Sequence, residues 1–430
     1  MTATTTAVGG GRSVPVPDPI ARDYLLLALR LDQHISGLVD GYFGPADLKA
    51  QVDLEALANP ARLRDEASAL RERVDREVPE SDRRAWLAAQ LVALETQAAA
   101  LAGDGPGYEL LVARCFDWTM ERRPDSEFDA AAAELDSMVP GDGPLADRLA
   151  AWDRRFEVPR DALQSAVGWL VGVLRERADR LFGLPAGEDL RVGLVSGQPW
   201  TAYNWYDGGY RSRVDVNTDL PIRIADLAHL AGHEAYPGHH LEHAWKEAAL
   251  VHGLARLESS ILLINTPECL ISEGLADLGP SVVLADEGEE DLLAELYRRA
   301  GNPIADDPAD ARETARLQVR MSVARRRLGA VAVNAALMRH ADGASHEAVA
   351  AYLRDVGRMS PERAAKRLEF IEHPLWRTYV FVYSEGEALL RRWLDVMPSA
   401  DRPARFGRLL REQLTPTAIA AETTTAIARR

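Results

Sequence analysis

The stretch His233-Glu234-Ala235-Tyr236-Pro237-Gly238-His239-His240 decides how this 430-residue chain is read. Six of its ten histidines, His229, His233, His239, His240, His243 and His252, fall between positions 229 and 252. A His-Glu pair followed by further histidines suits a zinc hydrolase. Neutral imidazoles bind the borderline-soft ion, and the adjacent carboxylate takes a proton from water. Clustered histidines alone would equally suit a polar surface helix or satisfied core residues, so the spacing has to carry weight. Position 237 is Pro where the common H-E-x-x-H pattern has its second His. On a regular helix, residues i and i+4 differ by about 40° and about 6 Å of rise, whereas i+7 lies about 10.5 Å along the axis. His240 would then be too distant to share an ion with His233, and His239 would face away. Pro237-Gly238 predicts a broken helix, because Pro removes a backbone donor and Gly tolerates the compensating conformation. Looping out these two residues brings His239 into the position of an i+4 ligand, with His240 as the alternative.

An open zinc site needs a third ligand. Downstream, Glu273 and Asp277 stand at i and i+4 in Ile271-Ser272-Glu273-Gly274-Leu275-Ala276-Asp277, on one helix face. Glu273 can bind the ion while Asp277 accepts the distal N–H of a ligand histidine. Glu258 and Glu268 compete for the ligand role. Glu268 follows Pro267, where charge at a helix start is the plainer reading.

Outward from this motif the pattern is helical. Tyr24, Leu27, Leu31 and Ile35 share one face of a first helix, which Asp40-Gly41-Tyr42-Phe43-Gly44-Pro45 then breaks. Further helices are predicted over 55–78, 81–101, 108–120, 127–138, 145–156 and 159–182. Only residues 190–218 differ. Leu190–Val195 and Arg213–Asn217 alternate and are β-branched, with Asp207-Gly208-Gly209 as a turn. The expected fold is mostly α, a multi-helix architecture with a small β-sheet inserted before the central metal-binding helix. Residues 1–19 are expected to be a disordered arm and 20–415 a single helical catalytic domain. That domain divides into a helical half (20–185), the sheet (186–222) and the metal-site and C-terminal helices (223–415). Residues 416–430 are read as a fraying tail.

Composition sets the remaining bounds. With 47% hydrophobic and 27% charged residues the chain has material for a large core. A net charge of −16 argues against a nucleic-acid partner and against a polybasic membrane anchor. The two cysteines, Cys115 and Cys269, are no disulfide framework and fit a reducing compartment. With no apolar leader and no long apolar run, a cytoplasmic location is expected. The oligomeric state is not legible.

His-Glu-Ala-Tyr-Pro-Gly-His-His-Leu, preceded by Val216-Asn217-Thr218, resembles the signature of the bacterial family numbered 885 among the domains of unknown function. Asp40–Pro45, the Glu273-Gly274-Leu275-Ala276 segment and Tyr383-Ser384-Glu385-Gly386 are similar to it as well. That family resembles the gluzincin metallopeptidases. The resemblance implies a gluzincin-like architecture, with His233, His239 (or His240) and Glu273 as zinc ligands, Glu234 as general base and Asp277 orienting a ligand. Glu242 stands where the family usually shows Gln. Tyr379 and Tyr383, at i and i+4, can project into one cleft. Tyr383 is the candidate oxyanion donor, although aromatics so spaced are commonly core. Arg213–Asn217 suits either a core strand or an edge strand that pairs with an extended substrate. Arg377 suits a surface ion pair, or a substrate carboxylate.

The expectation is a zinc-dependent hydrolase, a metallopeptidase that cleaves short peptides with a zinc-activated water and Glu234 as base. A zinc amidohydrolase acting on a non-peptide amide, or an inactive metal-binding or interaction module, are the alternatives.

Overall fold

Asp18, Asn59, Thr266, Ser360 and Thr415 each accept a backbone N–H at a helix start, and each precedes a helix beginning at or beside a proline. They divide a mostly helical chain, 67% helix and 7% strand, in which the strands are too few to form a central sheet. The structure, a computed structural model, describes residues 15–198, 200–285 and 288–429, so most of the expected N-terminal arm lies outside the described residues.

The first half contains α1 (Pro19–Asp32), strand β1 (Val39–Tyr42), α2 (Ala46–Leu54), α3 (Pro60–Glu77) and α4 (Ser81–Ala102). It continues with α5 (Tyr108–Phe116), α6 (Asp125–Met138), α7 (Leu145–Arg154) and α8 (Arg160–Phe182). The expected helix over 55–78 starts later, because Asn59 caps at Pro60. The helix expected to reach Met120 stops at Phe116, where Asp117 turns left-handed with φ 50°.

Strands β2 (Asp189–Val195), β3 (Ala202–Gly208) and β4 (Arg211–Asn217) form a sheet in the order β2-β4-β3. The extra strand β3 crosses between the two read from the sequence, which makes β2 and β4 parallel. Arg213–Asn217 is therefore the central strand, and β3 is an edge. The segment from Asp40, read as a simple break, lies in β1 and pairs antiparallel with β5 (Ile261–Leu263) in a second small sheet.

Then come α9 (Ile224–Glu234), α10 (His239–Lys246), a π-helical turn at Glu247–Gly253, α11 (Pro267–Val283), α12 (Glu289–Arg299), α13 (Pro308–Gly329) and α14 (Val331–His340). The chain ends with α15 (His346–Asp355), α16 (Pro361–Glu372), α17 (Val382–Asp395), α18 (Arg402–Leu409) and α19 (Pro416–Ala428). The expected tail is thus a helix over most of its length, because Thr415 caps it and Ile419 is fully buried.

Two large apolar cores and a small cluster of Tyr206, Tyr210 and Ala244 form among the described residues. The larger joins α5–α9 to α11–α19. The smaller joins α1, α3 and α4 to Val251, Leu257, Ile261 and Leu263. Helix α4 is long and apolar enough to span a membrane, but Trp86, Leu87, Leu91 and Leu94 pack into the smaller core and Glu95 pairs with Arg71. Helices α9 and α11 belong to the larger core, and Ile261 and Leu263 of β5 belong to the smaller one.

Candidate metal centre

Helix α9 buries Leu227, Ala228, Leu230 and Ala231, which leaves His229 and His233 on its α11-facing side. After Glu234 the helix stops, and Ala235 departs from helical geometry with φ −111° and ψ −86°. Gly238 N–H then donates to the Gly232 carbonyl at 3.0 Å, and Leu241 N–H to the Ala235 carbonyl at 3.3 Å. Both bonds span six residues where a regular helix spans four. Two extra residues are thus accommodated in the break, and His239 opens α10 beside His233. Only glycine fits at 238, since a Cβ there would lie 1.8 Å from the His233 carbonyl oxygen.

The two imidazoles meet edge to face, with ring centres 4.7 Å apart. His233 Nε2 is 3.4 Å from Glu273 Oε2, and His239 Nε2 is 3.4 Å from Glu273 Oε1. One ligand atom from each of His233, His239 and Glu273 lies within 4.8 Å of the other two. Glu273 Oε2 is buried with no hydrogen-bond partner, which is costly unless something else satisfies it. Two imidazole nitrogens and a carboxylate are a zinc donor set. The residues fit the ion.

Each of these three side chains is held from behind. His233 Nδ1 is 2.9 Å from Asp277 Oδ1, an oxygen that His229 Nε2 also approaches at 3.3 Å. Burial disfavours a charged His233, but Asp277 and then Glu273 outweigh it and push its pKa up to about 10. Burial likewise opposes ionisation of Asp277, yet His229 and His233 bring it down to about 2. His239 Nδ1 is 3.2 Å from Ser272 Oγ, whose hydroxyl donates to Glu242 at 2.6 Å. Tyr379 donates to Glu273 Oε1 at 2.6 Å.

His240 takes no part. It is fully buried, with Nδ1 2.8 Å from Ser212 Oγ and Nε2 2.9 Å from Glu188 Oε2. Between the two histidines left open by the spacing, His239 is the one that joins His233 and Glu273. His252 pairs with Glu247, away from this centre. Glu258 pairs with Arg83 and Gln413, and Glu268 accepts from Trp86 and Lys246. Arg377 lines a different cavity, beside Cys115 and Asn265, and its carbonyl accepts from Tyr108.

Helix α17 brings Tyr383 to the opposite wall, its ring centre 6.5 Å from that of His233. Burial, and next the charge of Glu273, raise the phenol of the buried Tyr379 well above its ordinary range, while Tyr383 is exposed at the cleft. The centre opens into a cleft of about 600 Å³ whose wall includes Glu234, Trp200, Tyr203, Phe370 and Trp376. Asn204 of edge strand β3 donates to the Glu234 carbonyl at 2.7 Å, which ties the sheet to the end of α9.

The sequence reading missed a buried network behind His239. Lys246 donates to Glu242 at 2.6 Å and also to Glu268. The signal was present, since Glu242 and Lys246 stand at i and i+4, and Lys246 is one of three lysines in an arginine-rich chain. Both cysteines are free and buried.

No family model matches the chain, and no curated protein matches it. Among solved structures it is similar to one described as "the putative lipoprotein from Colwellia psychrerythraea", with 15% identity over 87% of this chain and 68% of that one and a TM-score of 0.48. That likeness carries no argument about function.

Proposed function

We propose that this protein is a zinc-dependent hydrolase, a metallopeptidase acting on short peptides. One observation carries the reading: His233, His239 and the buried Glu273, whose Oε2 has no hydrogen-bond partner among the described residues, converge at the wall of a cleft. In this reading His233, His239 and Glu273 hold the ion, and Asp277 fixes the His233 tautomer. Zinc in such a site supplies a Lewis acid that acidifies water and polarises a carbonyl. Glu234 follows a ligand directly in sequence and lines the cleft with no cation paired to it among the described residues. It accepts the proton of the attacking water and passes it to the leaving amine. Tyr383 donates its hydroxyl to the oxygen that gains charge. The cleft has room for a few residues, which favours short peptides.

The test is turnover of a mixed peptide library followed by mass spectrometry, with chelator-treated and zinc-restored protein side by side. Zinc-dependent cleavage is the expected result. Hydrolysis confined to non-peptide amides would redirect the reading to an amidohydrolase. Stoichiometric zinc with no turnover of any amide would leave a metal-binding module.

A further inference from the structure

Asp40 is the residue the proposed chemistry leaves unused. In the β1–β5 ladder Val39 pairs with Leu263 and Gly41 with Leu262, so Asp40 is the extra residue of a bulge. A bulge re-aims a side chain, and here it turns Asp40 into the cleft that holds His233, His239 and Glu234. The flanking segment is fixed on both sides. Phe43 N–H donates to the Ser260 carbonyl at 3.0 Å, and the Phe43 ring meets Tyr206 edge-on at 5.1 Å. A Cβ on Gly41 would lie 2.9 Å from the Leu262 side chain, so the two strands approach closely there.

The Asp40 carboxylate accepts from the Tyr203 hydroxyl and has no ion-pair partner among the described residues. The cleft lysine on this side, Lys246, is already neutralised by Glu242 and Glu268. Asp40 is solvent-exposed at the cleft mouth, so water as well as the Tyr203 hydroxyl solvates its charge. A carboxylate so placed gains from a positive group on a ligand. Asp40 lines the same cleft as His239 and Glu234 and is near enough to feel their charges. Tyr203 and Asn204 are neighbours on edge strand β3, one holding Asp40 and the other the Glu234 carbonyl. An extended peptide pairing with edge strand β3 passes both the Glu234 end of α9 and the Asp40 carboxylate.

We propose that Asp40, steadied by Tyr203, binds the free α-amino group of the substrate, so that this protein removes residues from peptide amino termini. The proposal rests on the peptidase reading for its reaction, while the binding it describes is measurable separately. Two peptides suffice as probes, Leu-Gly-Gly and its N-acetyl counterpart. The zinc-loaded wild type should cleave the free-amine peptide with the higher kcat/KM. Asp40→Asn, which keeps the size and removes the charge, should cut that preference by roughly 10–100-fold, as expected for a lost charge-assisted pair. Asp40→Glu should restore part of it, and Tyr203→Phe should lower it by less. Zinc content and unfolding midpoint, measured on each variant, identify any that fails to fold, and the remaining two then carry the test.

Calorimetry of the same peptides on full-length Glu234→Gln protein supplies the binding readout. Asp40-dependent preference for the free amine without cleavage by the wild type would uphold Asp40 as the amine-binding group, overturn the removal of amino-terminal residues and end the peptidase reading. Cleavage of both peptides alike, a preference indifferent to Asp40, or binding of neither peptide would overturn the inference.

Discussion

Gly274 of α11 and Gly386 of α17 meet backbone to backbone. A Cβ on Gly274 would lie 2.4 Å from the Gly386 carbonyl carbon, and one on Gly386 would lie 2.3 Å from the Leu270 carbonyl oxygen. These glycines sit in the two segments, Glu273–Ala276 and Tyr383–Gly386, that bring a candidate ligand and a candidate oxyanion donor to the same cleft. The close crossing sets how near Tyr379 and Tyr383 come to Glu273. Gly386→Ala should therefore cost about 1–3 kcal/mol through overpacking and also reduce activity at temperatures where the protein is folded. Denaturant unfolding and kinetics on the folded fraction check both effects. An unchanged unfolding midpoint would mean that the two helices can separate freely.

Zinc should accompany the protein at near one ion per chain when it is purified without a histidine tag. Elemental analysis of His233→Ala and His239→Ala should show the metal lost, and that of His252→Ala should show it kept. His240→Ala should keep zinc as well but lose about 1–3 kcal/mol of stability, because it leaves buried Glu188 short of a partner. Metal loss in His240→Ala at undiminished stability would reverse the assignment of His239.

The buried Glu242–Lys246–Glu268 group makes a separate prediction. Lys246 is almost fully buried and Glu242 more so. Burial works against charge on both, but their mutual attraction holds the lysine above its usual range and the carboxylate below. Lys246→Met strands two carboxylates, and loss of one partner of a buried pair costs about 3–5 kcal/mol. Thermal unfolding should show a large drop. Glu242→Gln keeps a group that can accept from Ser272, so it should perturb the His239 side far less. Equal losses in the two variants would argue against charge as the reason.

How much was legible follows from the range of each interaction. The skipped pair Pro237-Gly238 could be read because it acts on its own helix, through a missing donor and a missing Cβ. The pairing of Asp277 with His233 could be read because i,i+4 spacing puts Asp277 on the face of Glu273. Strand β3 was not legible. Its register is set by β4 and by the Asn204 contact with α9, neither visible in the alternation of residues 202–208. Asp40 was hidden for the same reason. Asp40–Pro45 carries turn residues, and what makes its first three residues part of a strand is β5, more than two hundred positions later. Tyr379 was considered for the cleft, whereas its hydroxyl is spent on Glu273.

Glu234 separates chemistry from binding. It adjoins His233 in sequence yet is absent from the converging set of His233, His239 and Glu273. Glu234→Gln keeps size and hydrogen-bonding capacity and removes only the proton acceptor. The variant should keep zinc and substrate affinity and lose about 10²–10⁴-fold in kcat. Glu273→Gln removes charge from the converging set itself, so it should instead weaken zinc, and added zinc should restore part of its activity. The two variants thus differ in kind: one is loaded and slow, the other empty and rescuable. Zinc titration and steady-state kinetics on both make the comparison. Full activity of Glu234→Gln on a peptide that the wild type cleaves would mean that another group takes the proton, and the assignment of Glu234 as base would have to be withdrawn.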